Sequence, residues 1–201
     1  MIEITPFSNY CYVNDYTDTD ELVEVVKLLQ AQDTAKVQIS NRGGWQSPTF
    51  GTGHNPRFDR VIADITDLLQ PIYLDYGFDR KPTISNYWFN INERYSYNLH
   101  HTHPGSIFST VLYLKVPTDS GNLILSRPDY QQNFFQPDRV TDKTLTNFVI
   151  EPYANLLVAF PSNIPHYVEQ NLSKDEDHER ISVAFNFKWY ELSNNQIRQT
   201  T

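Results

Sequence analysis

The sequence is poor in cysteine, in positive charge and in long apolar runs. Cys11 is its one cysteine, so no disulfide can form within the chain, and a reducing compartment fits. Lys and Arg number 16 against 24 Asp and Glu, a net charge of -8 without a basic cluster, which argues against nucleic acid as the main partner. No stretch approaches the roughly 20 apolar residues that cross a bilayer, and the N-terminus does not resemble a signal peptide. We therefore expect a cytoplasmic protein without a membrane or nucleic-acid partner.

The residues that are present suffice for one folded domain. The chain has 201 residues, 39% of them hydrophobic and 14% aromatic, which suits a single domain over 1–201 with a real core. Residues 1–82 carry two amphipathic helix patterns, in 18–32 and from Pro56 towards Gly77, and form an N-terminal helical support region. From residue 83 about eight short strands follow, separated by turn residues. This order predicts an α+β fold, a β-sandwich or jelly roll backed by helices.

Histidines cluster in the stretch NLHHTHP, residues 98–104. Because side chains alternate along a strand, His101 and His103 should face one point while His100 faces away. Two imidazoles make half a metal site, although a pair of hydrogen-bonded histidines near a turn is an equally open interpretation. His166 follows an apolar strand and a proline-bounded turn, where it could supply a third ligand or act as an ordinary turn residue.

The strand RISVAFNF, residues 180–187, places Arg180 and Ser182 on one face. An arginine that points into a sheet interior needs an anion, since an unpaired buried charge is costly. Its planar fork suits a carboxylate, and Ser182 can donate one more hydrogen bond to it. A structural salt bridge with Glu179 or Asp177 is the alternative. The opposite face should be core packed against the helices, and consists of Ile181, Val183, Phe185 and Phe187.

His-x-His, a distant histidine and Arg-x-Ser fourteen residues later together resemble the motif of the 2-oxoglutarate and Fe(II)-dependent dioxygenases. That motif is His-x-Asp/Glu, a distal His and Arg-x-Ser on a double-stranded β-helix core. The sequence is most similar to a bacterial and phage branch with a His-x-His motif, over roughly residues 83–188. The matching residues are Asn98, His101, His103, Pro104, Gly105, Ser109, Val111, Tyr113, Gly121, Leu123, Phe160, Pro161, Ser162, His166, Arg180 and Ser182.

The resemblance implies a double-stranded β-helix (jelly roll) core over 83–190, with the N-terminal helices packed on one sheet. His101 and His166 would be metal ligands, and His103 would be the third, at the position where the family has its carboxylate. Arg180 would bind the distal carboxylate of 2-oxoglutarate, assisted by Ser182 or Tyr113. The remaining candidates for the 2-oxoglutarate pocket are Asn90 and Asn98, although Asn98 could equally cap a turn.

The function implied is a 2-oxoglutarate-dependent oxygenase that uses Fe(II) and O2. It would hydroxylate a C–H bond of a small-molecule or peptide substrate, peptidyl or free amino acid, and release succinate and CO2. Two alternatives stay open: a three-histidine zinc enzyme that activates water, and a non-catalytic metal-binding jelly-roll module. Arg180 and Ser182 discriminate between them, because a hydrolase has no standing need for a carboxylate-binding arginine. A homodimer is compatible with the sequence.

Overall fold

The structure is a computed structural model that describes residues 9–17, 19–34, 37–128 and 138–189. Its helices are α1 (Asp20–Gln32) and α2 (Pro56–Asp75). Neither of these described helices is long and apolar enough to span a membrane. The strands of the described residues are β1 (Tyr12–Asp15), β2 (Asn41–Arg42), β3 (Trp45–Gln46), β4 (Pro82–Asn92), β5 (Tyr97–His101), β6 (Phe108–Lys115), β7 (Leu123–Ser126), β8 (Asn147–Ile150), β9 (Leu156–Pro161), β10 (His166–Val168) and β11 (Arg180–Trp189).

The strands form two antiparallel sheets. The six-stranded sheet has the order β1-β9-β6-β11-β4-β3, and the five-stranded sheet has the order β2-β5-β10-β7-β8. Apolar side chains of both sheets meet in one cluster, which includes Val158 and Phe160 from the larger sheet and Leu123 and Leu125 from the smaller. The described residues therefore form a mostly β structure with two helices, and β4 to β11 agree with the series of about eight short strands predicted from residue 83.

Both helices contribute to a second core on the outer face of the six-stranded sheet. At the start of α2, the Asn55 side chain accepts a hydrogen bond from the Arg57 backbone N–H, and a proline occupies the first turn, a favourable N-terminus. The apolar stripe of α2 then packs on β4, where the Phe58 and Phe89 ring centroids lie 4.7 Å apart. As predicted, the core residues of β11 on this face are Ile181, Val183, Phe185 and Phe187.

The inner face of the six-stranded sheet is polar along β4 and β11. Because β4 and β11 pair directly, Arg180 lies beside Asn92, Ser182 beside Asn90, Ala184 beside Trp88, and Asn186 beside Asn86. Four alternate rungs of this ladder therefore face the smaller sheet with mostly polar side chains. A cavity lies between these rungs and strands β5 and β10.

Candidate metal and cosubstrate site

The three predicted metal ligands come together in the cavity. Candidate ligand atoms of His101, His103 and His166 all lie within 4.8 Å of one another. The Nε2 atoms of His103 and His166 are 3.1 Å apart, and the ring centroids of His101 and His166 are 4.3 Å apart. Residues 65 positions apart in the sequence are thus brought together because His166 pairs with His101 across β10 and β5.

A β-bulge in β5 decides which side chains reach the cavity. His166 pairs with His101 and Val168 pairs with Asn98, so β5 advances three residues where β10 advances two. One extra residue of this kind lets Asn98 and His101 both line the cavity, although strict alternation would send them to opposite faces. His100 is exposed on the outer side, as predicted.

His103 lies beyond the end of β5, so strand alternation does not explain its position. Its backbone N–H donates to the Ser162 carbonyl at 3.0 Å, which connects the loop after β5 to the end of β9. The ring lies 4.9 Å from that of His101, centroid to centroid. The prediction that His101 and His103 face one point is confirmed, but the second of them is positioned by a contact across the two sheets.

Two of the imidazoles are oriented by backbone carbonyls. Nδ1 of His101 lies 2.6 Å from the Leu99 carbonyl, and Nδ1 of His166 lies 2.9 Å from the Ile164 carbonyl. A carbonyl only accepts, so both Nδ1 atoms carry hydrogen and both Nε2 atoms keep a lone pair. A backbone carbonyl that orients a ligand histidine is a recurrent feature of metal sites.

Burial keeps the histidines neutral. Desolvation lowers the pKa of His103 to about 4 and the pKa of His166 to about 3, and it lowers the pKa of His101 as well. Their mutual proximity acts in the same direction, since neighbouring imidazoles disfavour each other's protonation. No Asp or Glu among the described residues lines this cavity. At neutral pH the cluster therefore offers imidazole nitrogens and no carboxylate.

Arg180 is buried at the other end of the same cavity. Its side chain is 1% exposed, and Nη1 donates to the carbonyls of Ser120 and, at 2.9 Å, Gly121. Nη2 is buried without a hydrogen-bond partner among the described residues. Burial lowers the pKa of Arg180, yet a guanidinium stays charged at neutral pH. An unpaired, charged donor in a cavity is the expected partner of a ligand anion.

The salt-bridge alternative for Arg180 is wrong. Glu179 binds Lys27 instead, with oxygen–nitrogen distances of 2.6 and 2.7 Å, and Asp177 pairs with Lys115. Both acidic residues therefore have other partners, and the positive charge of Arg180 has no acidic neighbour within the described part of the cavity.

The other predicted cosubstrate residues lie around Arg180. Tyr113 and Asn90 flank Ser182 on the neighbouring strands, and burial raises the pKa of Tyr113 to about 12, so its phenol stays protonated. The Asn90 amide oxygen is buried without a partner in the described residues. Asn98 accepts a hydrogen bond from Asn92 at 3.2 Å and lines the cavity.

Some residues of the site were not recognised from the sequence. The two carbonyls that bind Arg180 belong to the β6–β7 turn, where Gly121 has φ +88° and a Cβ would lie 2.5 Å from the Glu169 carbonyl oxygen. Only glycine fits this close approach. Trp88 also lines the cavity, with its ring centroid 5.4 Å from that of His103. Ser162 belongs to the matching motif residues, but nothing in the sequence indicates that its carbonyl accepts a hydrogen bond from His103.

Comparison with known proteins agrees with this geometry. The family model described as "Putative 2OG-Fe(II) oxygenase" matches residues 86–186, half of the chain, from within β4 to within β11. The chain belongs to this family. The oxygenase is therefore 2-oxoglutarate-dependent and uses Fe(II), 2-oxoglutarate and O2. A search of curated proteins found no match.

Solved structures with low sequence identity share the fold of the oxygenase. A prolyl-4-hydroxylase from Pseudomonas putida is 17% identical, with a TM-score of 0.68 over 92% of this chain and 95% of that chain. The viral collagen prolyl hydroxylase of Paramecium Bursaria Chlorella virus-1 is 13% identical, with a TM-score of 0.63 over 90% and 97%. HygX from Streptomyces hygroscopicus, solved with nickel and 2-oxoglutarate, is 12% identical, with a TM-score of 0.59 over 91% and 84%.

Proposed function

We propose that the oxygenase hydroxylates a C–H bond of a small-molecule or peptide substrate, in which one oxygen atom of O2 enters the product and the other enters succinate as 2-oxoglutarate loses CO2. When bound, Fe(II) would activate O2, which is the oxidant, and 2-oxoglutarate would supply two of the electrons that reduce it. The two facing sheets, with residues 83–190 as the core and 1–82 as support, are proposed to form the double-stranded β-helix that carries this chemistry in the family.

His101, His103 and His166 are proposed to bind the iron. Three neutral imidazoles fit a divalent cation, because each offers a nitrogen lone pair without first losing a proton. The carbonyls of Leu99 and Ile164 direct Nε2 of two of them towards the shared space. His103 occupies the sequence position of the family carboxylate and is proposed as the third ligand.

Arg180 is proposed to bind the distal carboxylate of 2-oxoglutarate, and its environment is the observation that most supports the proposed function. A guanidinium that is 1% exposed, with Nη2 unpaired, faces the same cavity as the three imidazoles. A ligand with a carboxylate at one end and metal-chelating oxygens at the other could bind Arg180 at one end of the cavity and a metal held by the imidazoles at the other. The neighbouring groups proposed to assist are Ser182, Tyr113, Asn90 and Asn98.

The alternative of a zinc enzyme that activates water lacks an acidic general base among the described residues of the cavity. Activation of water for hydrolysis calls for a nearby general base, and no described acidic residue lines the cavity. Because the chain belongs to an oxygenase family, an enzyme is favoured over a non-catalytic metal-binding module.

The test is an anaerobic titration of the purified protein. With Fe(II) bound, added 2-oxoglutarate should produce the weak visible charge-transfer absorption of the chelate, and admission of air should give succinate in amounts that depend on Fe(II). Replacement of Fe(II) by Zn(II) is the control and should give neither signal. Absence of both signals with Fe(II) would overturn the proposed function.

A further inference from the structure

Two polar side chains, Ser109 and Asn186, line the cavity at the end opposite Arg180, and hydrogen bonds connect them to Ser162 and to the partly exposed Asn86, which lie just outside its lining. On β11, Asn186 follows Arg180 by six residues, about 20 Å along a strand. The intermediate rung of Ala184 and Trp88 faces the histidines, since the Trp88 ring contacts that of His103. Asn186, with Asn86 and Ser109 beside it, is therefore one rung beyond the histidines, on the side away from Arg180.

These side chains are hydrogen-bonded in series, although most are nearly inaccessible. Ser162, Ser109 and Asn186 are 2%, 3% and 7% exposed. The two serine hydroxyl oxygens are 2.8 Å apart, Ser109 Oγ donates to Asn186 Oδ1 at 2.9 Å, and Asn186 Nδ2 donates to Asn86 Oδ1 at 3.1 Å. The backbone carbonyl of Ser162 accepts from the His103 backbone N–H, so the residue at the start of the series also contacts the histidine cluster.

The orientations of the two amides, with Asn186 Oδ1 towards Ser109 and Asn86 Oδ1 towards Asn186, give the series its direction. A serine hydroxyl has one hydrogen, and Ser109 uses its hydrogen on Asn186, so Ser162 must donate to Ser109. Each asparagine oxygen then accepts from its neighbour. One hydrogen of the Asn186 amide and both hydrogens of the partly exposed Asn86 amide remain without an acceptor among the described residues. The series thus ends in N–H donors.

The same end of the cavity carries no charge. Among the described residues that line the cavity, Arg180 is the one with a permanently charged side chain, and it lies at the opposite end. A free amino acid would bring an ammonium and a carboxylate here without counter-charges, which is unfavourable in a buried site. A neutral group with an oxygen acceptor, such as an amide carbonyl, meets N–H donors at no such cost.

From this geometry we infer that Asn186 and Asn86 bind the substrate through an uncharged amide carbonyl, and that Ser162 and Ser109 are positioning residues that fix the orientation of the two amides. The inference deepens the proposed function and rests on it. It selects a peptide-type substrate, in which the amino and carboxyl groups are blocked as amides, over a free amino acid.

The test uses the twenty amino acids in two forms: free, and blocked as N-acetyl N-methylamides. Succinate release in the presence of Fe(II) and 2-oxoglutarate should be stimulated by one or more blocked compounds and not by the corresponding free amino acids. In 15N-labelled metal-free protein, the same blocked compounds should shift the side-chain amide signals of Asn86 and Asn186, which is a readout independent of turnover.

Asn86→Asp is the informative variant, because it keeps size and replaces the terminal N–H donor by an acceptor. Stimulation by blocked compounds should fall by about tenfold or more, the equivalent of one or two lost hydrogen bonds. The affinity for 2-oxoglutarate should stay within about twofold. Asn14→Asp, on the exposed strand β1, is the matched control and should behave as wild type.

Ser109→Ala tests the positioning role. It should alter the Asn186 amide signals without ligand and lower the stimulation, although Ser109 would not itself contact substrate. Equal stimulation by free and blocked compounds, stimulation by no blocked compound, or an unchanged response of Asn86→Asp would overturn the inference. If 2-oxoglutarate itself fails to bind the Fe(II) protein, the proposed function fails instead, so the two failures are distinguishable.

Discussion

Replacement of Arg180 by methionine tests the site at the residue on which its assignment depends. Nη1 is already bound to two carbonyls, so the cosubstrate carboxylate would bind at the unpaired Nη2. Hydrogen bonds to charged groups contribute about 1.5–3 kcal/mol each. Loss of one or two of them, about 1.5–6 kcal/mol, corresponds to a 2-oxoglutarate affinity weaker by about 10-fold to about 20,000-fold.

The assay is calorimetric titration of 2-oxoglutarate into the anaerobic metal-loaded protein, beside a separate titration of the metal. Metal affinity should not fall, because Arg180 lies away from the imidazoles and its positive charge opposes the binding of a cation. The variant leaves the Ser120 and Gly121 carbonyls without their donor, so thermal unfolding must be measured in parallel. Arg180→Lys should be intermediate, since an ammonium keeps the charge but cannot bind the carbonyls and a carboxylate together.

Lys115→Met is the matched control. It removes a positive charge from the neighbouring strand β6, where Lys115 pairs with Asp177 and does not line the cavity. It should leave 2-oxoglutarate affinity unchanged. An equal loss of metal and 2-oxoglutarate affinity in Arg180→Met, or an affinity for 2-oxoglutarate within threefold of wild type, would refute the assignment of Arg180 as the carboxylate-binding residue.

Further predictions concern the histidines and the groups around Arg180. His103→Ala should weaken Fe(II) binding by more than about tenfold, while His100→Ala should not; equal affinities by titration would leave a two-histidine site. Tyr113→Phe should weaken 2-oxoglutarate binding by about 3- to 10-fold, the loss of one hydrogen bond, in the same calorimetric assay. In the metal-free protein, the pKa values of His103 and His166, about 4 and 3, lie below the usual 6.5. The unfolded chain therefore binds protons first, and the free energy of unfolding should fall by up to about 2 kcal/mol per histidine between pH 7 and pH 5. Urea unfolding at the two pH values checks this, and a stability that does not change would contradict it.

Periodicity predicts much of this fold because long elements repeat their pattern. The alternation along β11 separates Arg180 and Ser182 from the core residues of the other face, and the structure follows it. The stripe of α2 likewise specifies which side packs on the sheet. In both elements several apolar residues repeat on the same face, so the sequence pattern predicts which face is buried in the folded protein.

The histidine cluster could be located from the sequence, but its geometry could not be derived. β5 has five residues and contains a bulge, so alternation along it holds for only two or three positions. His103 lies outside the strand and depends on the Ser162 carbonyl, a contact between residues 59 positions apart. The carbonyls that bind Arg180 depend on the left-handed backbone of Gly121. The pattern of side chains along a sequence does not predict contacts to backbone carbonyls, so it predicts neither the partner of His103 nor the partners of Arg180.

A neutral residue at position 103 changes the charge balance of the whole cavity. Arg180 contributes one positive charge, and no described acidic residue lines the cavity to offset it. A divalent cation raises the total, and a dicarboxylate cosubstrate is then the main source of negative charge. Metal and cosubstrate should each reduce the electrostatic cost of binding the other, and this coupling is reciprocal. With an aspartate at position 103, the protein itself would supply part of the counter-charge and the coupling would be weaker. If His103 and Arg180 act as proposed, we therefore expect the cosubstrate to contribute more to metal retention than it would with an aspartate at position 103.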